Sequence, residues 1–566
     1  VRERLLIAFD LGLAVGALII LTLAGALFWS AVESHSVVIN AFDVPASYLA
    51  QGLTGKVVAS ELLDQLRYLQ DATRTTQSKR SVEDAWSNQI ELQIPDSGIS
   101  IAELESLLHR LLSRDEHIAG SIVDAGSGLE LTVRGDRLSA ATFSGPESSR
   151  RGLLRRAAEY LYGRNEPYLF SVYLINAGKD NDVVQFARNA FTSASLTDKP
   201  FLLNVWGNAL TDLGKYKEAI SKYHQAIALQ SDFWLGYDNL MGTLVSLMDE
   251  EGAVRVGIEM EKRARRGRLF ESKVPDAYWE NLDYYRADWL AYHRDEQADL
   301  AVNGGRGTAA GEDTPVDAQA LARLHNWTAA EEELGTINST SADSYIQAQG
   351  LLARALIELD RLHYYKAANY FSSAAMIASK DANVSASIAE PLSCWWALAT
   401  VLSGSKVNTD ASISEGGRYV DCLRFKADIA DYRGDWRNAE VFYAAAVKLA
   451  PSVPYAHQSW GDALFRHHRF DAAISEYAAA HSRGPHWADP LKRWGDSLAA
   501  KGQFADAARR YAAAAEFAPD WGELYLNWGR LLDRQHRHTD AIIKFRRAWG
   551  LDLTGVERAS IYGCCN

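Results

Sequence analysis

The sequence predicts a mainly α fold: one transmembrane helix near the N-terminus, a small α/β domain, then an α-solenoid of paired helices. Three observations carry that prediction. Residues from Leu11 to Val32 form an uncharged, largely apolar run. Between 36 and 165, short β-branched runs alternate with segments of helical periodicity. Towards the C-terminus, small and aromatic residues recur every 34 positions. At 566 residues the chain exceeds what one hydrophobic core organises, so several domains are expected.

Composition excludes several classes. With 59 basic and 72 acidic residues the formal charge is −13, which argues against a dedicated nucleic-acid binder, since that needs a basic face to neutralise phosphates. A hydrophobic fraction of 48% and a charged fraction of 23% are those of a folded chain. The 4 cysteines, Cys394, Cys422, Cys564 and Cys565, form no CxxC pair, no zinc spacing and no disulfide framework.

The apolar run comes first along the chain. About 22 residues at about 1.5 Å each cover a hydrocarbon core of about 30 Å, so 11–32 reads as a spanning helix. A cleaved signal peptide is the competing reading, but its apolar region is normally shorter and followed by small residues, where Phe28 and Trp29 stand. Arg2 and Arg4 precede the run and no Lys or Arg follows until Lys56. The positive-inside rule therefore puts residues 1–10 in the cytoplasm and the rest across the membrane. Gly12 and Gly16 form one GxxxG pair, a hint of homodimerisation through this helix.

Residues 36–165 follow as an α/β domain. Val37 to Ile39 is a β-branched run closed by Asp43-Val44-Pro45. Lys56 to Thr73 places Val58, Leu62, Leu66 and Leu69 on one helical face. Ile90, Leu92 and Ile94 alternate as a half-buried strand does, and Ser100 with Glu103 forms a capping-box pattern opening another helix. Strands are expected at 117–123, 128–134 and 138–144, then a helix from about Ser149 to Tyr162. Gly52-Leu53-Thr54-Gly55-Lys56 loosely suggests a phosphate loop. Position 57 is Val, so the magnesium-binding hydroxyl is missing and a plain helix N-terminus is the simpler reading.

With Gly52-Leu53-Thr54 and Gly120-Ser121-Ile122, this order resembles the TolB-N/FlgO-like domain that precedes repeats in some bacterial adenylate-cyclase-type proteins. The cyclase domain itself is absent from this sequence. The resemblance implies a ligand- or partner-sensing module, a bacterial source, and so an inner-membrane anchor with the bulk of the chain in the periplasm.

The repeats are the strongest signal. Ala439, Ala473, Ala507 and Ala541 are 34 apart, as are Ala446, Ala480, Ala514 and Ala548. Trp460-Gly461, Trp494-Gly495 and Trp528-Gly529 share the lattice with Tyr443, Tyr477, Tyr511 and Phe545, and with Pro451, Pro485 and Pro519. On this W-G…A-x3-Y-x2-A…P pattern the region 418–555 is identified as a member of the tetratricopeptide repeat (TPR) family. Small residues let paired helices approach and aromatics fill between them, so each pair needs the next to cover its apolar face. An earlier copy lies at 200–233, with Trp206-Gly207, Tyr216, Ala219, Tyr223 and Ala226. Residues 166–402 read as degenerate repeats, with Trp327/Ala330 and Tyr364/Ala367/Phe371/Ala374 as worn second helices. Flexible loops are expected at 303–315 and 403–417, and a frayed tail at 556–566.

Candidate chemistry is sparse. His467-His468 and His536-x-His538 fall in turns two repeats apart, roughly 20 Å given helices about 8–10 Å apart, too far for one zinc ion. No metal, cofactor or catalytic residue is assigned, and no GxSxG, HExxH or GxGxxG motif in context appears. The sequons at Asn326, Asn338 and Asn383 read as chance matches in a bacterial protein.

The expected working surface is the concave face lined by the first helix of each repeat. Offsets from the glycine place Arg424, Asp428, Gln458, Asp462, Lys492, Asp496, Leu526 and Arg530 there. Asn204, Asn208 and Asn239 take polar-ligand positions in the earlier copies. Mixed charge of this kind suits a protein or peptide partner. The sequence therefore predicts a non-enzymatic envelope scaffold. The alternative is a sensor in which the α/β domain binds a small molecule and the repeats relay it.

Overall fold

The computed structural model describes residues 36–50, 52–73, 82–84, 115–126, 128–146, 149–247, 249–265, 280–294, 310–336, 344–380, 390–407 and 419–565, with a few single positions besides. The expected membrane helix lies outside the described residues apart from single positions; so do the strand at 90–94 and the helix opened by Ser100. Among the described residues no helix is long and apolar enough to cross a membrane. The chain divides into two compact units, Val1–Lys215 and Tyr216–Asn566.

The first unit is built on a sheet of β1 (Val37–Ile39), β2 (Val82–Asp84), β3 (Glu116–Asp124), β4 (Leu129–Gly135) and β5 (Ala141–Gly145), in the order β2-β1-β3-β4-β5. β1 runs parallel to both neighbours, and β3, β4 and β5 form an antiparallel meander. β2 was not expected from the sequence; it is three residues long and carries no alternation to read. The last strand begins at Ala141, three residues later than the pattern suggested, because the turn after Gly135 extends through Leu138. Ile118 and Ile122 of β3 and Leu129, Leu131 and Val133 of β4 bury one face. A short α1 (Ala46–Leu49) precedes α2 (Gly55–Ala72), which buries Val58, Leu62, Leu66 and Leu69 as the periodicity required. Thr54 caps α2 at the Val57 amide (3.4 Å), and Gly55 is pressed against the Phe42 carbonyl. The glycine of the phosphate-loop look-alike thus answers a backbone approach within the fold. Helices α3 (Arg150–Asn165), α4 (Pro167–Asn176), α5 (Asp180–Ala190) and α6 (Lys199–Asp212) complete the unit.

The second unit is helical. Its earlier members are α7 (Tyr216–Leu229), α8 (Trp234–Ser246), α9 (Glu250–Arg265), α10 (Glu280–Arg286), and a helix over 289–294. Then come α11 (Ala310–Arg323), α12 (Trp327–Thr336), α13 (Ser344–Asp360), α14 (Tyr364–Ala378) and α15 (Glu390–Leu402). The regular repeats pair α16 (Val420–Tyr432) with α17 (Trp436–Leu449), and α18 (Tyr455–Arg466) with α19 (Phe470–Arg483). They continue with α20 (Ala488–Ala500) and α21 (Phe504–Phe517), then α22 (Gly522–Arg534) and α23 (His538–Trp549). A Cβ on Gly461, Gly495 or Gly529 would stand 2.5 to 2.6 Å from the ring of Tyr477, Tyr511 or Phe545, so the small residue and the aromatic define one close crossing.

Left-handed residues mark the turns of all four regular repeats, at Gly434, His468, Gly502 and His536, and three turns among the worn ones, at Ala287, His325 and Leu362. Two expectations change. The loop expected at 303–315 gives way to α11 at Ala310, with Pro315 inside the helix. The tail expected at 556–566 is ordered: a Thr554–Glu557 capping box opens α24 (Gly555–Ser560), and α25 (Tyr562–Cys565) follows. Ile561 is buried with Leu526, Leu532 and Phe545, so the tail covers the apolar face that the last repeat would otherwise expose. Cys394 of α15 and Cys422 of α16, for which the sequence suggested no pairing, form a buried disulfide.

Candidate functional site

Three aspartates predicted for the binding face are held from within their own repeats. The Tyr443 hydroxyl donates to Asp428 (2.6 Å), Tyr477 to Asp462 (2.8 Å) and Tyr511 to Asp496 (2.7 Å). In the fourth repeat Phe545 has no hydroxyl, and the aspartate position holds Arg530. Hydroxyl and carboxylate vanish together, which is what a buried charge that needs its donor dictates. Burial pushes Asp428 up to about 6 and also raises Asp462.

The predicted bases lie lower on the same helices. Arg424 is nearly buried, pairs with Asp421 (2.7 Å), donates to Ser459 (3.2 Å), and lies over the Phe425 ring at 4.0 Å. Gln458 is buried and donates to Asp462 at 3.3 Å. Lys492 is 0% exposed, 3.0 Å from Asp496, and also paired with Glu523. Burial opposes the charge of Glu523, but Lys492 and Arg493 outweigh it and hold the carboxyl at about 2. Leu526, expected on the binding face, is core beneath the C-terminal cap.

Residues that the sequence reading did not select connect these groups. Arg466 reaches Asp431 (2.8 Å) and Asp428 (3.7 Å). Arg493 lies 3.6 to 3.8 Å from Asp462, Asp496 and Glu523. Spacing signalled Arg493, which stands three residues before Asp496 on one helix; Arg466 reaches from α18 back to α16, which no local spacing records. The result is a strip of alternating charge along α16, α18, α20 and α22. Asn204 and Asn208 belong to the first unit and Asn239 to the second; Asn204 is buried and the other two are half-buried. His467 pairs with Asp431 (2.6 Å) and His538 with Asp533 (2.7 Å). Among the described residues no group of His, Cys, Asp and Glu is arranged to hold a metal ion.

One side of this face is covered by the chain's own middle repeats. Glu251 accepts from the Ser452 amide (2.7 Å) and hydroxyl (2.8 Å). The Tyr455 hydroxyl donates to the Tyr284 carbonyl, and His486 pairs with Asp288. Trp289 and Ala287 join Trp487, Ala488 and Leu491 in one apolar cluster. His325 stacks on Trp521 at 3.8 Å between Asp360 (2.6 Å) and Asp489 (3.3 Å). Burial opposes its charge, but the two carboxylates outweigh it and push His325 up to about 10. The Asp552 carboxylate accepts from the Thr328 amide (2.8 Å) and hydroxyl (2.7 Å). On the later side these contacts fall in the loops that enter α18, α20 and α22, in the first turns of α18 and α20, and in the segment after α23. The repeats around 250–330 are therefore zipped along the edge of those at 450–552.

Residues 492–552 match a family model described as tetratricopeptide repeat. No curated protein matches the chain. Among solved structures, it is similar to a chain of the APC/C hetero-tetramer Cut9–Hcn1 at 10% identity, covering 74% of this chain and 93% of that one, with a TM-score of 0.37. It is also similar to yeast Tom70 at 15% identity, covering 66% of this chain and 96% of that one, with a TM-score of 0.26.

Proposed function

We propose that the chain is a membrane-anchored TPR scaffold that recruits protein partners in the bacterial envelope and catalyses no reaction. The observation that carries this reading is the alternating strip. Asp462, Arg466, Arg493 and Glu523 keep 31%, 52%, 36% and 29% of their side-chain surface in solvent, and Arg530 is exposed. Beneath them the buried Lys492, Gln458 and Arg424 hold the acids in place. Charges of both signs at a repeat spacing match an extended or helical partner segment with the opposite order of charges.

Two features support the location. The uncharged run at 11–32, flanked by Arg2 and Arg4, favours an anchor with its N-terminus in the cytoplasm. The Cys394–Cys422 disulfide favours an oxidising compartment such as the periplasm. Gly12 and Gly16 favour pairing of two anchors.

Crosslinking in intact cells, followed by mass spectrometry of the anchored chain, tests the reading. Periplasmic proteins joined to residues 455–534, and lost in an Arg530→Glu chain, are the expected result. Cytoplasmic partners alone would overturn the location. No partner at all would overturn the scaffold reading in favour of ligand sensing by the α/β domain.

A further inference from the structure

Arg323 closes α11 with a charge that no acid meets. A base in the last turn suits the helix dipole, and its guanidinium lies over two buried indoles, Trp289 at 5.6 Å and Trp395 at 5.1 Å. Stacking covers the faces of a guanidinium and leaves its in-plane N–H donors unmet. Among the described residues Arg323 makes no hydrogen bond and no ion pair. The groups around it do not supply the missing charge. Arg424 shares the Trp395 ring at 5.2 Å and has its own partner in Asp421 (2.7 Å). Glu250 of α9 is pushed up to about 8 by burial and then by Asp421, so it stands largely protonated at neutral pH.

Tyr284 of α10 ties these groups into one recess. Burial raises its pKa and the charges of Arg323, Asp421, Glu250 and Arg424 all bear on it, yet 36% of the residue stays in solvent. A group walled by protein and still wet marks a concave, open site rather than packed core. Its ring meets Tyr285 (5.3 Å) and Trp289 (5.2 Å) edge-on, and its carbonyl accepts from the Tyr455 hydroxyl. Neither the Tyr284 nor the Tyr285 hydroxyl has a hydrogen-bond partner among the described residues.

We propose that this recess binds a small organic carboxylate with a flat apolar body, its oxygens held by the Arg323 guanidinium and the Tyr284 and Tyr285 hydroxyls. A carboxylate matches the planar fork of a guanidinium bidentately, which a single-point anion does not. Its charge offsets that of Arg323, otherwise uncompensated beside a second guanidinium. Asp421 is already paired and does not repel it, and protonated Glu250 is a donor for a further ligand oxygen. The exposed Tyr284 ring receives the flat body. The site uses none of the exposed residues of the charged strip, so it stands whether or not that strip takes a partner.

Titration of the full chain in detergent with p-fluorobenzoate, followed by fluorine NMR, tests the site. Saturable binding by wild type should weaken roughly tenfold or more in Arg323→Gln, which loses a charge-assisted contact, and roughly threefold in Tyr284→Phe. The neutral p-fluorobenzyl alcohol, with the same flat body, should bind wild type no better than it binds Arg323→Gln. No saturable binding of the acid by wild type overturns the site. Binding that Arg323→Gln leaves unchanged does so too, and puts the ligand elsewhere on the chain. Equal binding of alcohol and acid overturns the carboxylate as the recognised group. If circular dichroism shows Arg323→Gln to be unfolded, Tyr284→Phe decides, because its hydroxyl has no partner to lose. A drop in affinity with the fold intact then supports the site, and an unchanged affinity overturns it.

Discussion

A tyrosine–aspartate bond in three of the four regular repeats, and a left-handed turn residue in all four, set their energetics. Tyr477→Phe strands the half-buried carboxylate of Asp462, so it should cost about 1.5–3 kcal/mol in urea unfolding, the range for hydrogen bonds to charged groups. The double change Tyr477→Phe, Asp462→Arg reproduces the pair already present as Phe545 and Arg530. It should cost less than the single change; an equal or larger loss would refute the coupling. At the turns, His468 (φ 57°) and His536 (φ 62°) occupy the site that Gly434 and Gly502 fill in sister repeats. His468→Gly and His536→Gly should each stabilise the chain by about 1 kcal/mol, because glycine removes the Cβ clash. A metal role for these histidines would instead make the same changes abolish zinc binding, which calorimetry would register.

Between elements, burial and charge make stability depend on pH. Burial, and then the nearby charge of Asp421, push Glu250 of α9 up to about 8. Its folded pKa lies above the unfolded value of about 4.3, so the folded state holds the extra proton between them. The contribution is greatest below pH ~4 and declines as pH rises towards 8. Glu250→Gln should flatten the fall in melting temperature over that window. Glu523 has the opposite sign: held at about 2, its contribution is full above pH ~4.3 and is lost as pH falls towards 2. The C-terminal cap acts through burial alone. Ile561 is 2% exposed against Leu526 and Phe545, so Ile561→Ala should cost about 2–4 kcal/mol.

At the scale of the whole molecule, the disulfide links α15 to α16 across a sequence separation of 28 and so joins the worn repeats to the regular ones. Closing a loop of that length contributes about 3.6 kcal/mol through the unfolded state. Cys394→Ser with Cys422→Ala should lower the melting temperature, and alkylation without reductant should label neither Cys394 nor Cys422 in the native chain. Label on both would remove the disulfide's support for an oxidising compartment.

The regular array is legible in the residue pattern alone. Ala, Gly and Tyr at 34-residue spacing admit one helix crossing, and each residue type is fixed by contacts inside its own repeat. The helical face of α2 and the meander of β3 to β5 were legible for the same reason, since their patterns are local. Sequence also selected Asp428, Asp462 and Asp496, but it could not show that a tyrosine fifteen residues later holds each one. Tertiary structure alone decided what lies far apart along the chain: the disulfide, the docking of Ile561 on Leu526, and the edge that brings Thr328 to Asp552. Those pairings come from the path of the stacked helices, which sums small rotations over many repeats, and no short window of residues records that sum.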